Sequence, residues 1–294
     1  MKKSGLRDHT RRSFALKYTT GNRPTRHRLT LMRTFWELTK TSFQRHLTYR
    51  AATIAGLVTN FFFGILRAAI FVALYDQQAE VEGLSLQGAI TFAALAQAFI
   101  GYLSLFSWYE LMNSVYTGDI SSDLLKPMNY FAFWLAQDLG RALVNILLRG
   151  LILMAGYALI FDLIWPRSSA QILAVLIGIA LSWLISFAWR FLINLSALWT
   201  PNARGILRFT FVFSWFFSGF LMPLRLYPDW VRAISRFTPF PYMLNSVVEI
   251  YLGILTGPEI LLSLLTQLFW ALALVAAGQL VLRAGVRRLV ILGG

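Results

Sequence analysis

Long apolar runs separated by short polar islands dominate the chain. From residue 51 onward six stretches are apolar almost without interruption: 51–75, 88–115, 139–165, 170–199, 206–224 and 259–282. Each reaches or approaches the roughly 20 residues an α-helix needs to cross a hydrocarbon core of about 30 Å. None shows the short alternating pattern of a membrane-spanning strand. The pattern predicts an all-α polytopic membrane protein with six transmembrane helices.

Two further segments are amphipathic rather than uniformly apolar. In 29–47, Met32, Phe35, Trp36, Phe43 and Leu47 fall on one helical face, with Arg33, Glu37, Lys40 and Gln44 on others. This predicts an interfacial helix lying along the membrane before the chain turns in. In 228–244, Pro228 and Asp229 start a helix, Trp230, Ile234 and Phe237 recur on one face, and Pro239 ends it. A second short helix carrying Glu249 is expected over 242–251. With Gly219, Pro223 and Phe240 around them, these predict short outer helices that dip into one leaflet and return.

The polar island 116–127 separates the second and third runs. Gly118 can end one helix in the left-handed conformation. Asp119, Ser121 and Ser122 are candidate N-caps for another, with Asp123 in its first turn, Lys126 in its last and Pro127 as its stop. Either a short capped helix at a membrane surface or a plain connecting loop satisfies this pattern.

Charge adds orientation. The net charge is +14, and residues 1–50 hold 13 of the 27 Lys and Arg and two acids, Asp8 and Glu37. Residues 1–28 read as a mobile basic tail, 29–50 as the interfacial helix, 51–283 as a six-span domain and 284–294 as a C-terminal tail. Basic flanks at Arg45 and Arg50, Lys126 and Arg141, Arg204 and Arg208, and Arg283, Arg287 and Arg288 all fall on one side if both termini are cytoplasmic, and the acidic 76–82 loop falls on the other. This predicts a plasma membrane protein, in bacteria an inner-membrane one. Arg225, Arg232 and Arg236 break the rule, and contact with lipid phosphates would account for them. Membrane topology explains the basic N-terminus without nucleic acid, for which no binding fold is evident.

Catalytic chemistry has few candidates. The chain has no cysteine, and its three histidines, His9, His27 and His46, precede the first apolar run. None of its five lysines follows a glycine, so no P-loop is present, and any ATP that drives transport is hydrolysed by another chain. This chain is read as a non-enzyme that binds no cofactor. Four charges lie inside the runs: Arg67, Glu110, Arg149 and Arg190. Glu110 is at a depth where it could pair with Arg149 or Arg190. Alternatively, the arginines snorkel to headgroups and Glu110 sits near water. The aromatic run 209–220 either lines a path for a hydrophobic substrate or packs against lipid.

Taken in order, an interfacial helix, six spans, a Gly-Asp-Ile…Leu-Leu-Lys-Pro loop (118–127) and a Ser-Gly-Phe-Leu-Met-Pro-Leu-Arg-Leu-Tyr-Pro-Asp-Trp segment (218–230) leading to Thr-Pro-Phe-Pro resemble the permease subunit of an ABC-2 type exporter. The resemblance covers about residues 30–285. It implies a half-transporter whose two permease subunits, identical or related, enclose the path, each docked on a separate ATPase that uses ATP. It also implies that the loop between spans two and three is the coupling helix on that ATPase, with Gly118, Asp119, Ser122, Asp123, Lys126 and Pro127 as its residues. The alternative is an ion-coupled secondary transporter, which would favour a buried acid near the bilayer midplane and internal repeats. No repeat is found.

Overall fold

The computed structural model describes residues 24–76, 78–200 and 202–287. The basic tail expected over 1–28 therefore lies outside the described residues up to residue 23, as does the chain from residue 288. Helix α1 (Pro24–Thr48) runs into α2 (Arg50–Leu74) with only Tyr49 between them. A two-stranded hairpin, β1 (Glu80–Val81) and β2 (Leu84–Ser85), turns through Glu82 and Gly83, both at positive φ. There follow α3 (Leu86–Leu103), α4 (Glu110–Thr117), α5 (Ile120–Leu124) and α6 (Tyr130–Ala158), the last with a π-helical stretch at Asn145–Gly150. Helix α7 (Ser169–Asn194) ends in a 3₁₀ turn at Leu195–Leu198. Helices α8 (Ala203–Phe217), α9 (Asp229–Arg236), α10 (Asn245–Tyr251) and α11 (Pro258–Val286) complete the described chain.

Five of these helices are long and apolar enough to cross a membrane: Ala51–Leu74, Leu86–Leu103, Tyr130–Ala158, Ser169–Leu198 and Pro258–Val286. The fifth of the expected runs is shorter than its apolar length suggested. α8 has 15 residues, about 22 Å of helix. It stops at Ser218 because Gly219 turns at φ 79°. Capping residues set the starts of three helices: Ser85 accepts from the Gly88 N–H, Asn129 from those of Phe131 and Ala132, and Ser168 from that of Gln171. Asn129 thus starts the third span nine residues before the expected 139.

Helix α3 is the centre of the bundle. Ala89, Ala93, Ala94, Ala96 and Ala98 are all buried, so neighbouring helices approach it closely on every side. By contrast α2 and α11 are mostly exposed, carrying Ile54, Val58, Phe62 and Ile70, and Leu262, Leu265 and Phe269, on their outer faces. In a membrane those faces meet acyl chains.

Helix α1 packs on α6 along a face centred on Thr39 and Ser42, with Phe35 and Phe43 of the expected apolar stripe half-buried at its edge. Thr39 and Ser42 are buried, and Ser42 Oγ donates to the Gln137 carbonyl at 2.6 Å. A Cβ on Gly140 would lie 2.4 Å from the Thr39 carbonyl oxygen, so the two backbones cross nearly in contact. Met32 and Trp36 point away from the bundle, free to enter lipid. The outer helix α9 behaves alike: Val231 and Ser235 are buried, while Trp230, Ile234 and Phe237 are exposed.

The hairpin and the α8–α11 connection meet at one end of the bundle. Asn245 N–H donates to the Ser218 carbonyl, and Asn245 Oδ1 accepts from Leu224 N–H at 3.0 Å. Gln171 of α7 donates to the carbonyls of Ile250 and Tyr251, and Gln267 of α11 to that of Tyr242. Arg225 donates to the carbonyl of Glu82 at 3.0 Å and lies 3.5 Å from the Glu249 carboxylate; Arg232 pairs with Asp229 and approaches Glu82. These two arginines, which broke the charge rule, are held by protein acids and carbonyls. Burial pushes the Glu249 carboxyl up from its usual range, and Arg225 opposes that shift.

Candidate functional site

At the opposite end of the bundle the second expected span does not run through to 115. Helix α3 stops at Leu103 because Ser104 adopts the left-handed conformation (φ 50°, ψ 47°). A helix that ends inside a protein leaves carbonyls without partners. Here side chains supply them. Arg141 Nη1 and Nη2 donate to the carbonyls of Gly101 and Tyr102 at 2.7 and 2.8 Å. Ser186 Oγ donates to Leu103, Trp215 Nε1 to Leu105 and Asn194 Nδ2 to Trp108. The break is therefore held by donors from α6, α7 and α8.

One buried carboxylate aligns those donors. Asp138 on α6 accepts from Arg141 Nε at 2.8 Å, from Arg190 Nη1 and Nη2 at 2.9 Å each, and from Trp183 Nε1 at 2.8 Å. Its side chain is fully buried and that of Arg190 is 1% exposed. Such a group is tolerable in a low-dielectric interior because every lone pair is engaged. One acid against two arginines leaves one positive charge in excess, and the α3 carbonyls and the Trp108 ring, 5.4 Å from the Arg190 guanidinium, face that excess.

The polar island holds the last two residues of α4 and all of α5. Gly118 ends α4 at φ 82° as expected. Asp119 stands at the N-cap position of α5, but its carboxylate accepts from the Thr117 hydroxyl at 2.6 Å instead of capping backbone N–H groups. Asp123 is turned inward, and the exposed Lys126 reaches back to it. Asp123 is 8% exposed, accepts from Ser114 and lies 2.5 Å from Lys126 Nζ, which sits 3.8 Å from the Phe133 ring centroid. Gly118, Asp119, Ser122 and Pro127 remain exposed, and Leu125, at 86% exposed, is the most prominent apolar side chain on this loop.

These helices are tied to the bundle rather than hung from it. Asn194 Oδ1 accepts from the Met112 N–H of α4, and the next turn of α7 carries Arg190. Tyr116 Oη donates to the Thr200 carbonyl and accepts from Ala203 N–H, joining α4 to the α7–α8 turn. These bonds join α4 to α7, to the α7–α8 turn and, through Asn194, to the turn that carries Arg190.

A sequence model described as ABC-2 family transporter protein matches residues 61–293 of the chain. The chain belongs to the ABC-2 transporter family. No curated protein and no solved structure matches it.

In this ABC-2 family protein the four charges singled out in the apolar runs have separate fates. Glu110 heads α4 outside the span, is exposed and makes no ion pair among the described residues. Arg190 pairs with Asp138 rather than with Glu110. Arg67 donates to the Phe220 carbonyl at 2.7 Å and stacks 4.3 Å from that ring, holding the break after α8. Arg149 lies in the π-helical stretch and donates to Asn145 Oδ1. Of the aromatic run, Phe211 and Phe220 are core while Phe209 and Phe213 face outward.

Asp138 itself escaped the sequence reading, because a third span starting at 139 left it in a loop. The available signal was Asp138 and Arg141 at i and i+3 in a segment that Asn129 could cap.

Proposed function

We propose that the chain is the permease subunit of an ATP-driven exporter, working with a second permease copy or relative and with a separate ATPase. The reading assigns α8 as a short fifth span, so that six spans bring both termini to the cytoplasmic face of the plasma membrane. The α4–α5 end then lies in the cytoplasm and the hairpin end outside. The observation that carries it is the α4–α5 pair: exposed at Asp119, Ser122 and Leu125, yet hydrogen-bonded through Asn194 and Tyr116 to the buried Asp138 group and the α7–α8 turn. A docked ATPase pushing on this pair moves three helices as one. ATP binding and hydrolysis belong to that partner, and this chain supplies the path.

An ion-coupled transporter needs a buried acid with free lone pairs. Asp138 is the buried acid among the described residues at the membrane interior, but two arginines and a tryptophan occupy both of its oxygens. The deciding experiment is affinity purification of the chain expressed with its neighbouring genes. Recovery of a stoichiometric ABC ATPase is expected, and a tight transport-competent assembly without one overturns the proposal.

A further inference from the structure

Between the end of α1, the first turns of α2, the break after α3 and the π-helical stretch of α6 lie two adjoining cavities of about 440 and 330 Å³. They share His46, Asn145 and Arg149. Arg149 stands about 9 Å of helix into the membrane, level with Gly56 of α2. A Cβ at Gly56 would overlap Arg149 Nη2, so this glycine admits the guanidinium to the α2 backbone.

Arg149 is poorly served by the protein. Arg141 and Arg190 share Asp138, and Arg67 has a carbonyl and a ring. Arg149 has one side-chain acceptor, Asn145 Oδ1, while its Nε is buried without a partner. Among the described residues no acid lies within ion-pair distance of it. An uncompensated cation at this depth is expensive. Arg45 lines the larger cavity, and its side chain makes no hydrogen bond among the described residues. Tyr49 and Thr53 place the start of helix α2 on the same wall. Glu110 on the rim is the opposing charge. Ile54 and Leu148, each next in sequence to a lining residue, are exposed and offer surface suited to acyl chains.

We propose that this cleft binds a phosphate group, with Arg149 and Arg45 as its charged ligands. The two sources of that chemistry are the headgroup of an anionic phospholipid and free phosphate. A phosphate oxygen in the cleft would accept from the Arg149 and Arg45 guanidinium groups and neutralise the charge that the fold leaves open. The site does not depend on the identity of the ATPase, because every group in it belongs to this chain.

The test uses the full chain, delipidated in non-ionic detergent and titrated with dioctanoyl phosphatidylglycerol, dioctanoyl phosphatidylcholine or inorganic phosphate. Adducts are counted by native mass spectrometry, and the melting temperature is followed in parallel. The phosphatidylglycerol adduct is expected to exceed the phosphatidylcholine adduct about tenfold, because both lipids carry the phosphate but the choline cation of the second is repelled by Arg149 and Arg45. R149Q and R45Q each remove that preference, R149K restores part of it, and E110Q strengthens it. R204Q, an exposed arginine outside the cleft, leaves it unchanged. Competition by millimolar inorganic phosphate with no preference between the lipids assigns the source to free phosphate. Equal binding of all probes, or a preference that survives both R149Q and R45Q, overturns the site. Should R149Q fail to fold, R45Q and E110Q carry the test, since a purely structural pairing of Glu110 with Arg149 predicts that E110Q weakens binding and lowers the melting temperature.

Discussion

Asp138 on α6 and Arg190 on α7 are joined by two parallel hydrogen bonds of 2.9 Å each, with both side chains shut away from solvent. Removing the acid leaves Arg141 and Arg190 as two buried like charges. Asp138→Asn is therefore expected to destabilise the protein by about 3–5 kcal/mol, the usual cost of breaking a buried pair. The check is the melting temperature in detergent, with the double variant D138N/R190Q recovering part of the loss. A single variant that melts like the parent would show that the pair contributes nothing.

The two acids of the loop separate into distinct roles. Asp119 is exposed and bonded only to Thr117, whereas Asp123 is buried between Ser114 and Lys126. Asp119→Lys and Leu125→Asp are expected to reduce ATPase association and transport while leaving the melting temperature unchanged. Asp123→Ala is expected to lower the melting temperature first, losing about 1–3 kcal/mol of paired buried hydrogen bonding. Pull-down of the ATPase, read beside thermal unfolding, distinguishes them.

The seating of α1 depends on one glycine. A methyl group at 140 meets the Thr39 carbonyl and the Phe43 amide of the crossing helix. Gly140→Ala is expected to push α1 off α6, seen as a lengthened spin-label distance between the helices and a lowered melting temperature. An unchanged distance would mean that the backbones separate without consequence.

Gly219 turns at φ 79°, and a Cβ there would sit 3.0 Å from Asn245 Oδ1. Gly219→Ala is expected to cost more than about 1 kcal/mol, since both the conformation and the space oppose it. Faster hydrogen exchange in α9 and α10, with α6 and α7 unchanged, is the expected readout.

Glu249 supplies a pH dependence. Its raised carboxyl favours the protonated form in the folded state. Its contribution to stability is thus fully present below the ordinary glutamate range and is lost as pH rises through the elevated value. Between pH 4 and 7 the parent is expected to lose more stability than Glu249→Gln, measured as the difference in melting temperature at each pH. Equal slopes would remove Glu249 as the cause.

What the sequence determined by itself was the class of the protein and the run of its elements. Apolar length is a local property, so four of the long spans were legible to within a few residues of one end or both, and so were α1, α9 and the turn at Gly118. Boundaries failed where a tertiary partner sets them. The third span begins at Asn129 because its side chain caps α6, and the second ends at Leu103 because Arg141, Ser186 and Trp215 receive the carbonyls of the break. Faces failed for a related reason. Periodicity finds an apolar stripe, but in a membrane that stripe of α1 or α9 can meet lipid while small polar residues such as Thr39, Ser42 and Ser235 take the close helix crossing. Only the tertiary structure decided which acid Arg190 would meet. Asp138 and Arg190 are 52 residues apart, and although Arg141 at i+3 marks Asp138, nothing local ties Asp138 to Arg190 until α6 and α7 pack and exclude water around the pair.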